Sequence, residues 1–197
     1  MNLPMVTGVI LAGGKNSRMG TDKGLLMVQG ERIVERIIKA IKPAVDEIII
    51  ISNGTNYDYL GYKIYSDLIK DSGPMGGIYT ALSLSDTKKN FVVSCDMPFI
   101  SMELVNFIIK NAADCQIAIP KHDDRLEPIC AVYDKSCVEQ FSVLLKAKDL
   151  KLHDSLSYFK VKQIHVPENI FDATCFENIN TPAEYETLKL KKDASSN

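Results

Sequence analysis

The sequence lacks an apolar run long enough to cross a membrane, which takes about 20 consecutive residues. Its longest apolar runs are only a few residues, such as those at 48–51 and 91–93. The N-terminus also lacks a basic region ahead of an apolar stretch, so no secretory signal is expected. We therefore expect a cytoplasmic protein that does not insert into a membrane.

The sequence also lacks a C-x-x-C pair, and its five cysteines are an odd number at irregular spacing. Most of them lie in or beside apolar runs. This pattern favours reduced, mostly buried thiols over a disulfide framework or a zinc site, as is typical of a cytosolic protein. The five are Cys95, Cys115, Cys130, Cys137 and Cys175.

There is no strong excess of charge of either sign. The chain has 23 Lys and Arg against 25 Asp and Glu, a net charge of -2. A nucleic-acid-binding protein usually carries a basic patch that shows in the overall balance, so no nucleic acid partner is expected. Any phosphate group that this protein binds must be held by a local cluster.

The 197 residues are 46% apolar and 24% charged, which is the composition of an ordinary globular protein. This length can bury a full core, and no linker or composition break divides it. We expect a single domain over residues 1–197, with a flexible tail at about 190–197.

Short β-rich runs alternate with segments of helical periodicity, which is typical of an α/β layer fold with a largely parallel sheet. The predicted strands cover 6–12, 47–52, 62–66, 91–95, 115–119, 126–133 and 161–166. Apolar spacing and end signals predict helices over 33–41, 138–146 and 150–159, and others that begin near Pro74, Ser101 and Pro182. Ligands of open α/β sheets bind outside the carboxyl ends of the strands, so polar residues that follow a strand are the candidates for a site.

A glycine pair, Gly13-Gly14, follows the first predicted strand at once, and basic residues follow as far as Lys23. Glycine lets backbone N–H groups approach an anion closely. Arg18 offers a planar fork to phosphate oxygens, and Lys23 offers a mobile point charge. The segment therefore predicts a triphosphate-binding loop.

Two better-known phosphate loops do not fit this segment. A P-loop needs G-x-x-x-x-G-K-[ST], and no glycine here is followed by Lys and then Ser or Thr. A dinucleotide loop needs G-x-G-x-x-G, which Gly13, Gly14 and Gly20 do not supply. No serine lies in a nucleophile elbow either, and no cysteine has a base partner in sequence, so no covalent intermediate with the protein is expected.

Asp96 comes directly after the strand predicted at 91–95 and before Met97-Pro98. A carboxylate at the ligand-binding edge of a sheet is well placed to hold Mg²⁺ through oxygen. Magnesium that bridges phosphate oxygens would neutralise the charge of a leaving pyrophosphate. The alternative is an aspartate that only caps the turn before Pro98. The preceding glycine loop favours the metal.

Taken together, these segments resemble the molybdenum cofactor guanylyltransferases, within the wider group of glycosyltransferase-A-like nucleotidyltransferases. The likeness runs in a consistent order from residue 6 to about 188. It rests on Leu11-Ala12-Gly13-Gly14 through Arg18-Met19-Gly20-x-Asp22-Lys23, Asn53, Asp67 ahead of Gly73-Pro74-Met75-Gly76-Gly77, Cys95-Asp96-Met97-Pro98, Arg125-Leu126-Glu127-Pro128 and Asn178-Ile179-Asn180-Thr181-Pro182. The resemblance implies a Rossmann-like three-layer nucleotidyltransferase fold with a mostly parallel mixed sheet, and Mg²⁺ as the cofactor.

The resemblance also implies roles for individual residues. The catalytic residues would be Arg18, Lys23 and Asp96, of which Asp96 would bind the metal. The nucleotide would be bound by the backbone of Leu11, Ala12 and Gly13, by Lys23 and by Asn53 and Asp67, whereas Arg125, Asn178 and Asn180 would lie toward the pterin. Asp71 is an alternative to Asp67 as the nucleoside ligand.

The reaction implied by the resemblance is transfer of GMP from GTP to the terminal phosphate of Mo-molybdopterin, with release of pyrophosphate. The expected state is a monomer, with other molybdenum cofactor biosynthesis proteins as candidate partners. Three alternatives stay open at this point. They are a related enzyme that uses CTP, a sugar-phosphate nucleotidyltransferase on the same fold, and a non-catalytic module that binds the nucleotide or the cofactor.

Overall fold

A central sheet of eight strands organises the computed structural model, which describes residues 5–13 and 22–193. The strands, together with one separate hairpin formed by β2 and β3, are β1 (Val6–Leu11), β2 (Met27–Val28), β3 (Glu31–Arg32), β4 (Glu47–Ile51), β5 (Lys63–Tyr65), β6 (Lys89–Ser94), β7 (Ile117–His122), β8 (Arg125–Leu126), β9 (Cys130–Asp134) and β10 (Val161–His165). The helices are α1 (Ile33–Ile41), α2 (Gly73–Leu84), α3 (Met102–Lys110), α4 (Val138–Lys146), α5 (Leu152–Ser155) and α6 (Pro182–Asp193).

The strand order across the sheet is β10-β7-β9-β6-β1-β4-β5, and the short β8 pairs with β7. Strands β5, β4, β1 and β6 run parallel to one another. Strand β9 lies antiparallel between β6 and β7, and β10 runs parallel to β7. The sheet is therefore mixed and mostly parallel, as the sequence predicted.

Apolar side chains of the central strands alternate between two helical layers. In β4, Ile48 and Ile50 pack in the layer with α1 and α3, whereas Ile49 and Ile51 pack in the layer with α2 and α4. This is the period of two expected of a strand buried on both faces. The result is a three-layer α/β/α arrangement, which confirms the predicted fold class.

Local signals placed most helix ends correctly. Helix α1 ends at Ile41, just before Pro43, and α2 begins at Gly73 with Pro74 in its first turn. Ser101 caps α3, because its Oγ accepts a hydrogen bond of 3.2 Å from the backbone N–H of Leu104.

Three predicted elements were wrong in extent. The strand expected at 115–119 is β7, which begins two residues later and runs to His122. The strand expected at 126–133 is split into β8 and β9, because residues 127–129 turn, with a bond of 3.0 Å from Cys130 N–H to the Glu127 carbonyl. The helix expected at 150–159 forms only the single turn of α5, followed by a 3₁₀ turn at Leu156–Tyr158. The β2–β3 hairpin was not predicted, since two-residue strands carry too little periodicity to register.

Within residues 5–13 and 22–193, none of the helices has both the length and the apolar character that crossing a bilayer would require. All five cysteines are free, four of them buried and Cys175 half-buried. The expectation of reduced, mostly buried thiols is confirmed.

Candidate active site

A cleft of about 690 Å³ opens at the carboxyl ends of β1, β4 and β6. This is the edge where an α/β sheet binds its ligands, because the chain leaves neighbouring strands there in different directions. The described residues that line it are Leu11, Ala12, Gly13, Asp22, Ile51, Ser52, Asn53, Gly54, Asn56, Asp67, Asp71, Ser72, Gly73, Pro74, Gly77, Ser94, Asp96 and Ile129.

Backbone hydrogen bonds continue past the strand ends and bring the loops of the cleft together. The Ala12 N–H donates to the Ile51 carbonyl at 2.9 Å, and the Cys95 N–H donates to the Leu11 carbonyl at 3.0 Å. As a result, Gly13 lies beside Asn53, and a Cβ at Gly13 would be 3.9 Å from the Asn53 Nδ2. Three segments that are distant in sequence therefore form one continuous floor.

Asn53 and Asp67 form a reciprocal pair on one side of the cleft. The Asn53 Nδ2 donates to Asp67 Oδ2 at 2.8 Å, and the Asp67 N–H donates to Asn53 Oδ1 at 3.0 Å. The other carboxylate oxygen, Asp67 Oδ1, is buried with no partner in the part of the chain that the structure describes. Such an atom costs free energy until a donor reaches it, so it is a candidate acceptor for a ligand N–H or hydroxyl. Asp71 lines the same cleft.

Lys23 and Asn180 meet Asp96 behind the other side of the cleft, where Asp96 is the one of the three that lines it. The Lys23 Nζ lies 3.0 Å from Asp96 Oδ2 and donates to Asn180 Oδ1 at 2.8 Å. The Ile179 N–H also donates to the Asp96 carbonyl at 2.9 Å. The Lys23 ammonium is thereby held between Asp96, in the loop after β6, and Asn180, which lies 157 positions after Lys23 in the chain.

The start of α6 keeps the Asn180 segment in place. Glu184 Oε2 accepts from the backbone N–H groups of Asn180 at 2.6 Å and Thr181 at 3.1 Å. Thr181 Oγ1 in turn accepts from the Glu184 N–H at 3.2 Å. This reciprocal cap fixes the helix end, and hence the segment that contacts Lys23 and Asp96.

Cys95, next to Asp96, is a buried thiol. Burial is the main cause that raises its pKa, to about 12, and the charges of Asp96 and Asp22 add to the effect. A thiol with so high a pKa stays protonated at neutral pH and is a poor nucleophile. Cys95 is therefore not a candidate nucleophile.

The described part of the cleft is suited to a divalent cation. Its lining carries four carboxylates, those of Asp22, Asp67, Asp71 and Asp96, and among the described lining residues there is no lysine or arginine. Asp96 Oδ1 is buried and lacks a partner among the described residues. No group of three His, Cys, Asp or Glu within 5–13 and 22–193 could enclose an ion. Magnesium commonly binds through one or two carboxylates, with substrate phosphates and water as the other ligands.

Four predicted residues within the described part of the chain do not line this cleft, namely Lys23, Arg125, Asn178 and Asn180. Arg125, on β8, is exposed and is not part of the lining. Asn178 is two residues from Asn180, and its Oδ1 is buried without a partner among the described residues. Arg18 lies outside the described residues.

Asp22, Asn56 and Tyr57 were not predicted as site residues. Tyr57 is fully buried and its hydroxyl donates to Asp22 Oδ1, while Asn56 Nδ2 donates to Asp22 Oδ2 at 3.3 Å. The Asp-Lys dipeptide at 22–23 was a usable signal for Asp22. Nothing in the sequence connects it to a tyrosine 35 positions away.

Gly77→Val is expected to destabilise the protein and weaken nucleotide binding. A Cβ at Gly77 would lie 3.0 Å from Leu11 Cδ2, tighter than ordinary contact, and 3.7 Å from Asp67 Oδ1, so valine would crowd Leu11 beside Asp67. Overpacking of this kind costs about 1–3 kcal/mol. Thermal unfolding should show a lower Tm, and the KM for the nucleotide should rise. Leu84→Val, at the exposed end of α2, should change neither. An unchanged Tm and KM in Gly77→Val would contradict this packing.

Comparison with known proteins agrees with this architecture. Residues 8–159 match the model of the MobA-like NTP transferase domain. A probable molybdenum cofactor guanylyltransferase of Flavobacterium johnsoniae is 38% identical over 188 residues, which cover 94% of this chain and 97% of that protein. One from Clostridium perfringens is 38% identical over 197 residues, covering 95% and 98%.

A solved structure is also similar over nearly its whole length. The molybdopterin-guanine dinucleotide biosynthesis protein A of Archaeoglobus fulgidus superposes with a TM-score of 0.80 at 25% identity, over 95% of this chain and 99% of that one. The chain therefore belongs to the MobA-like NTP transferase family of nucleotidyltransferases and, within it, to the molybdenum cofactor guanylyltransferases.

Proposed function

We propose that this chain transfers GMP from GTP to the terminal phosphate of Mo-molybdopterin, forming Mo-molybdopterin guanine dinucleotide and pyrophosphate. The observation that carries the proposal is the Lys23–Asp96 pair beside the backbone of Leu11–Gly13, with Asp96 Oδ1 buried and unpartnered among the described residues. A fixed ammonium and a carboxylate oxygen that could bind a metal thus lie at one edge of a cleft large enough for a nucleotide, which supports the proposal. The relatives' names supply the substrates.

In the proposed reaction an oxygen of the acceptor phosphate attacks the α-phosphorus of GTP. The bond between the α-phosphorus and the bridging oxygen to the β-phosphate breaks, and pyrophosphate leaves with the electron pair. The acceptor oxygen is already ionised at neutral pH, so the step needs no strong general base. Alignment of the two phosphates and neutralisation of charge would supply the catalysis.

Lys23 and Arg18 would hold the phosphates, and Asp96 would bind Mg²⁺ through its oxygens. When bound, Mg²⁺ supplies positive charge to the phosphate groups. Lys23 would keep the Asp96 carboxylate oriented through the 3.0 Å contact to Oδ2, which leaves Oδ1 for the metal.

The nucleoside would lie on the floor formed by Leu11, Ala12 and Gly13. Asn53 holds Asp67 by two hydrogen bonds, one donated to its carboxylate Oδ2 and one accepted from its backbone N–H. The other carboxylate oxygen, Oδ1, could then accept from guanine N–H groups or from ribose hydroxyls. The buried Oδ1 of Asp67, which has no partner among the described residues, is the observation that favours Asp67 as the nucleoside ligand. Arg125, Asn178 and Asn180 would serve the pterin side, with Asn180 also bonded to Lys23.

We further propose one domain over 1–197, a monomeric state and a location in the cytoplasm. The single sheet that both helical layers share supports one domain, and the free cysteines support a location in the cytoplasm. Other molybdenum cofactor biosynthesis proteins are candidate partners, because the pterin substrate must be delivered and the product collected.

Pyrophosphate release with each nucleoside triphosphate, with and without Mo-molybdopterin, tests the function. We expect release with GTP only, and only with the acceptor present. Release with CTP would instead indicate a cytidylyltransferase, and release with a sugar phosphate as the acceptor a sugar nucleotidyltransferase. GTP binding without turnover would indicate a non-catalytic module.

A further inference from the structure

The element that carries Lys23 is too short for its internal hydrogen bonds to fix the position of the lysine. Lys23 begins the 3₁₀ turn Lys23–Leu25, whose N-cap is Asp22. The Asp22 Oδ1 accepts from the Gly24 N–H at 3.2 Å. Short 3₁₀ turns have poor internal hydrogen-bond geometry, so the cap residue largely decides where such a turn lies.

The Asp22 carboxylate is itself held from a different part of the fold. The Tyr57 hydroxyl donates to Oδ1, and Asn56 Nδ2 donates to Oδ2 at 3.3 Å. Both residues follow β4 in the loop that also carries Asn53, which holds Asp67. One loop thus touches the nucleoside side of the cleft and the segment that carries the lysine.

The Tyr57 ring packs tightly against the 3₁₀ turn. Tyr57 is fully buried. A Cβ at Gly24 would lie 2.5 Å from the Tyr57 Oη and 3.2 Å from ring atoms Cε1 and Cζ, so only glycine lets the turn approach the ring this closely. Burial, and then the neighbouring Cys95 and Asp22, raise the pKa of the Tyr57 hydroxyl well above its ordinary value. The hydroxyl therefore stays a donor to Asp22 at any working pH.

We propose that Tyr57 is a positioning residue that holds Lys23 against Asp96 through Asp22 and Gly24. Its part in the reaction rests on the proposed function of Lys23. Tyr57 does not line the cleft; it fixes the turn that carries Lys23, whose Nζ lies 3.0 Å from Asp96 Oδ2. Without the hydroxyl, Asp22 Oδ1 keeps only the Gly24 N–H among its described partners, and the turn gains freedom.

The test compares Tyr57→Phe with Tyr59→Phe in the full-length chain. Tyr59 is two residues away, half exposed, and its hydroxyl donates to Glu35 Oε1 at 3.1 Å, outside the cleft. The first readout is the rate at which an amine-acylating reagent modifies Lys23, followed by mass spectrometry. The Lys23 side chain is 19% exposed, whereas that of Lys39, at 73%, serves as the internal standard.

Tyr57→Phe should speed Lys23 acylation by about tenfold relative to Lys39, the scale of one lost hydrogen bond to a charged group. Tyr59→Phe should leave the rate unchanged. Equal Lys23 acylation in wild type and Tyr57→Phe would overturn the proposal. If Tyr57→Phe does not fold, Asn56→Ala removes the exposed bond to Asp22 Oδ2 and should shift the rate in the same direction.

The second readout is steady-state turnover with GTP and Mo-molybdopterin. We expect Tyr57→Phe to lower kcat by about tenfold with KM for GTP changed less than about twofold, as for a contact that matters mainly in the transition state. In a Lys23→Met background the same substitution should add no further loss, because its effect passes through Lys23. Independent losses that multiply would overturn the proposal. A wild type that turns over no nucleotide, with the acylation difference intact, would refute the proposed function and leave the positioning of Lys23 supported.

Discussion

Asp96→Asn is expected to lower the rate of pyrophosphate release by about 10²-fold or more, the usual loss when one preorganised charge contact is removed. The substitution keeps the shape of the side chain and changes its charge. The asparagine side chain could still accept from Lys23, because an amide oxygen can replace Oδ2 at 3.0 Å. The variant loses the negative charge and the second carboxylate oxygen, Oδ1, which in the wild type is buried and has no partner among the described residues.

The measurement is steady-state turnover across a titration of magnesium, for wild type and variant. Wild type should lose activity when the divalent ion is chelated and regain it when magnesium is restored. Asp96→Asn should recover little even at high magnesium. Asp46→Asn is the matched control, since that carboxylate accepts from the Val6 N–H at 2.7 Å at the opposite end of β1. Near-normal turnover of Asp96→Asn with magnesium would show that the metal assignment is wrong.

The fold was predictable because its signals are local. In the buried strand Glu47–Ile51, four consecutive β-branched isoleucines follow Glu47. Pro43, Pro74 and Ser101 mark helix ends by their own chemistry. The strand-end rule then located Asp96 at the carboxyl edge of β6 without any three-dimensional information. Elements with weak periodicity, such as the β2–β3 hairpin, gave no such signal.

The contacts around the cleft were not predictable, because they join residues that are distant in the chain. Lys23 and Asn180 are 157 positions apart, and Tyr57 and Asp22 are 35 apart. A motif shows that a residue type is present, but not which neighbour orients it. The likeness to the guanylyltransferases suggested a place on the pterin side for Asn180. Its hydrogen bond to Lys23 adds a contact that no spacing could have indicated.

Lys23→Met is expected to lower turnover by about 10²-fold or more, for the same reason of lost charge in a preorganised site. Methionine keeps much of the length of the side chain and removes the ammonium. We also expect a loss of stability that Asp96→Asn does not share. Without Lys23, neither oxygen of the buried Asp96 carboxylate keeps a described side-chain partner, and an unsatisfied charged group of this kind costs about 1–3 kcal/mol or more. In Asp96→Asn, by contrast, the Lys23 ammonium still donates to Asn180 Oδ1 at 2.8 Å.

Thermal unfolding in the absence of nucleotide and metal measures this difference in stability between Lys23→Met and Asp96→Asn. Lys23→Met should have a lower Tm than Asp96→Asn, and the double variant should regain part of the loss, because the uncompensated carboxylate is then gone. Turnover of the double variant decides whether the two residues act together. If they act as a unit on the phosphates, it should be about as slow as the slower single variant. Losses in turnover that multiply would show that Lys23 and Asp96 act separately. Equal Tm values for the two single variants would show that the 3.0 Å contact contributes nothing to the stability of the folded protein.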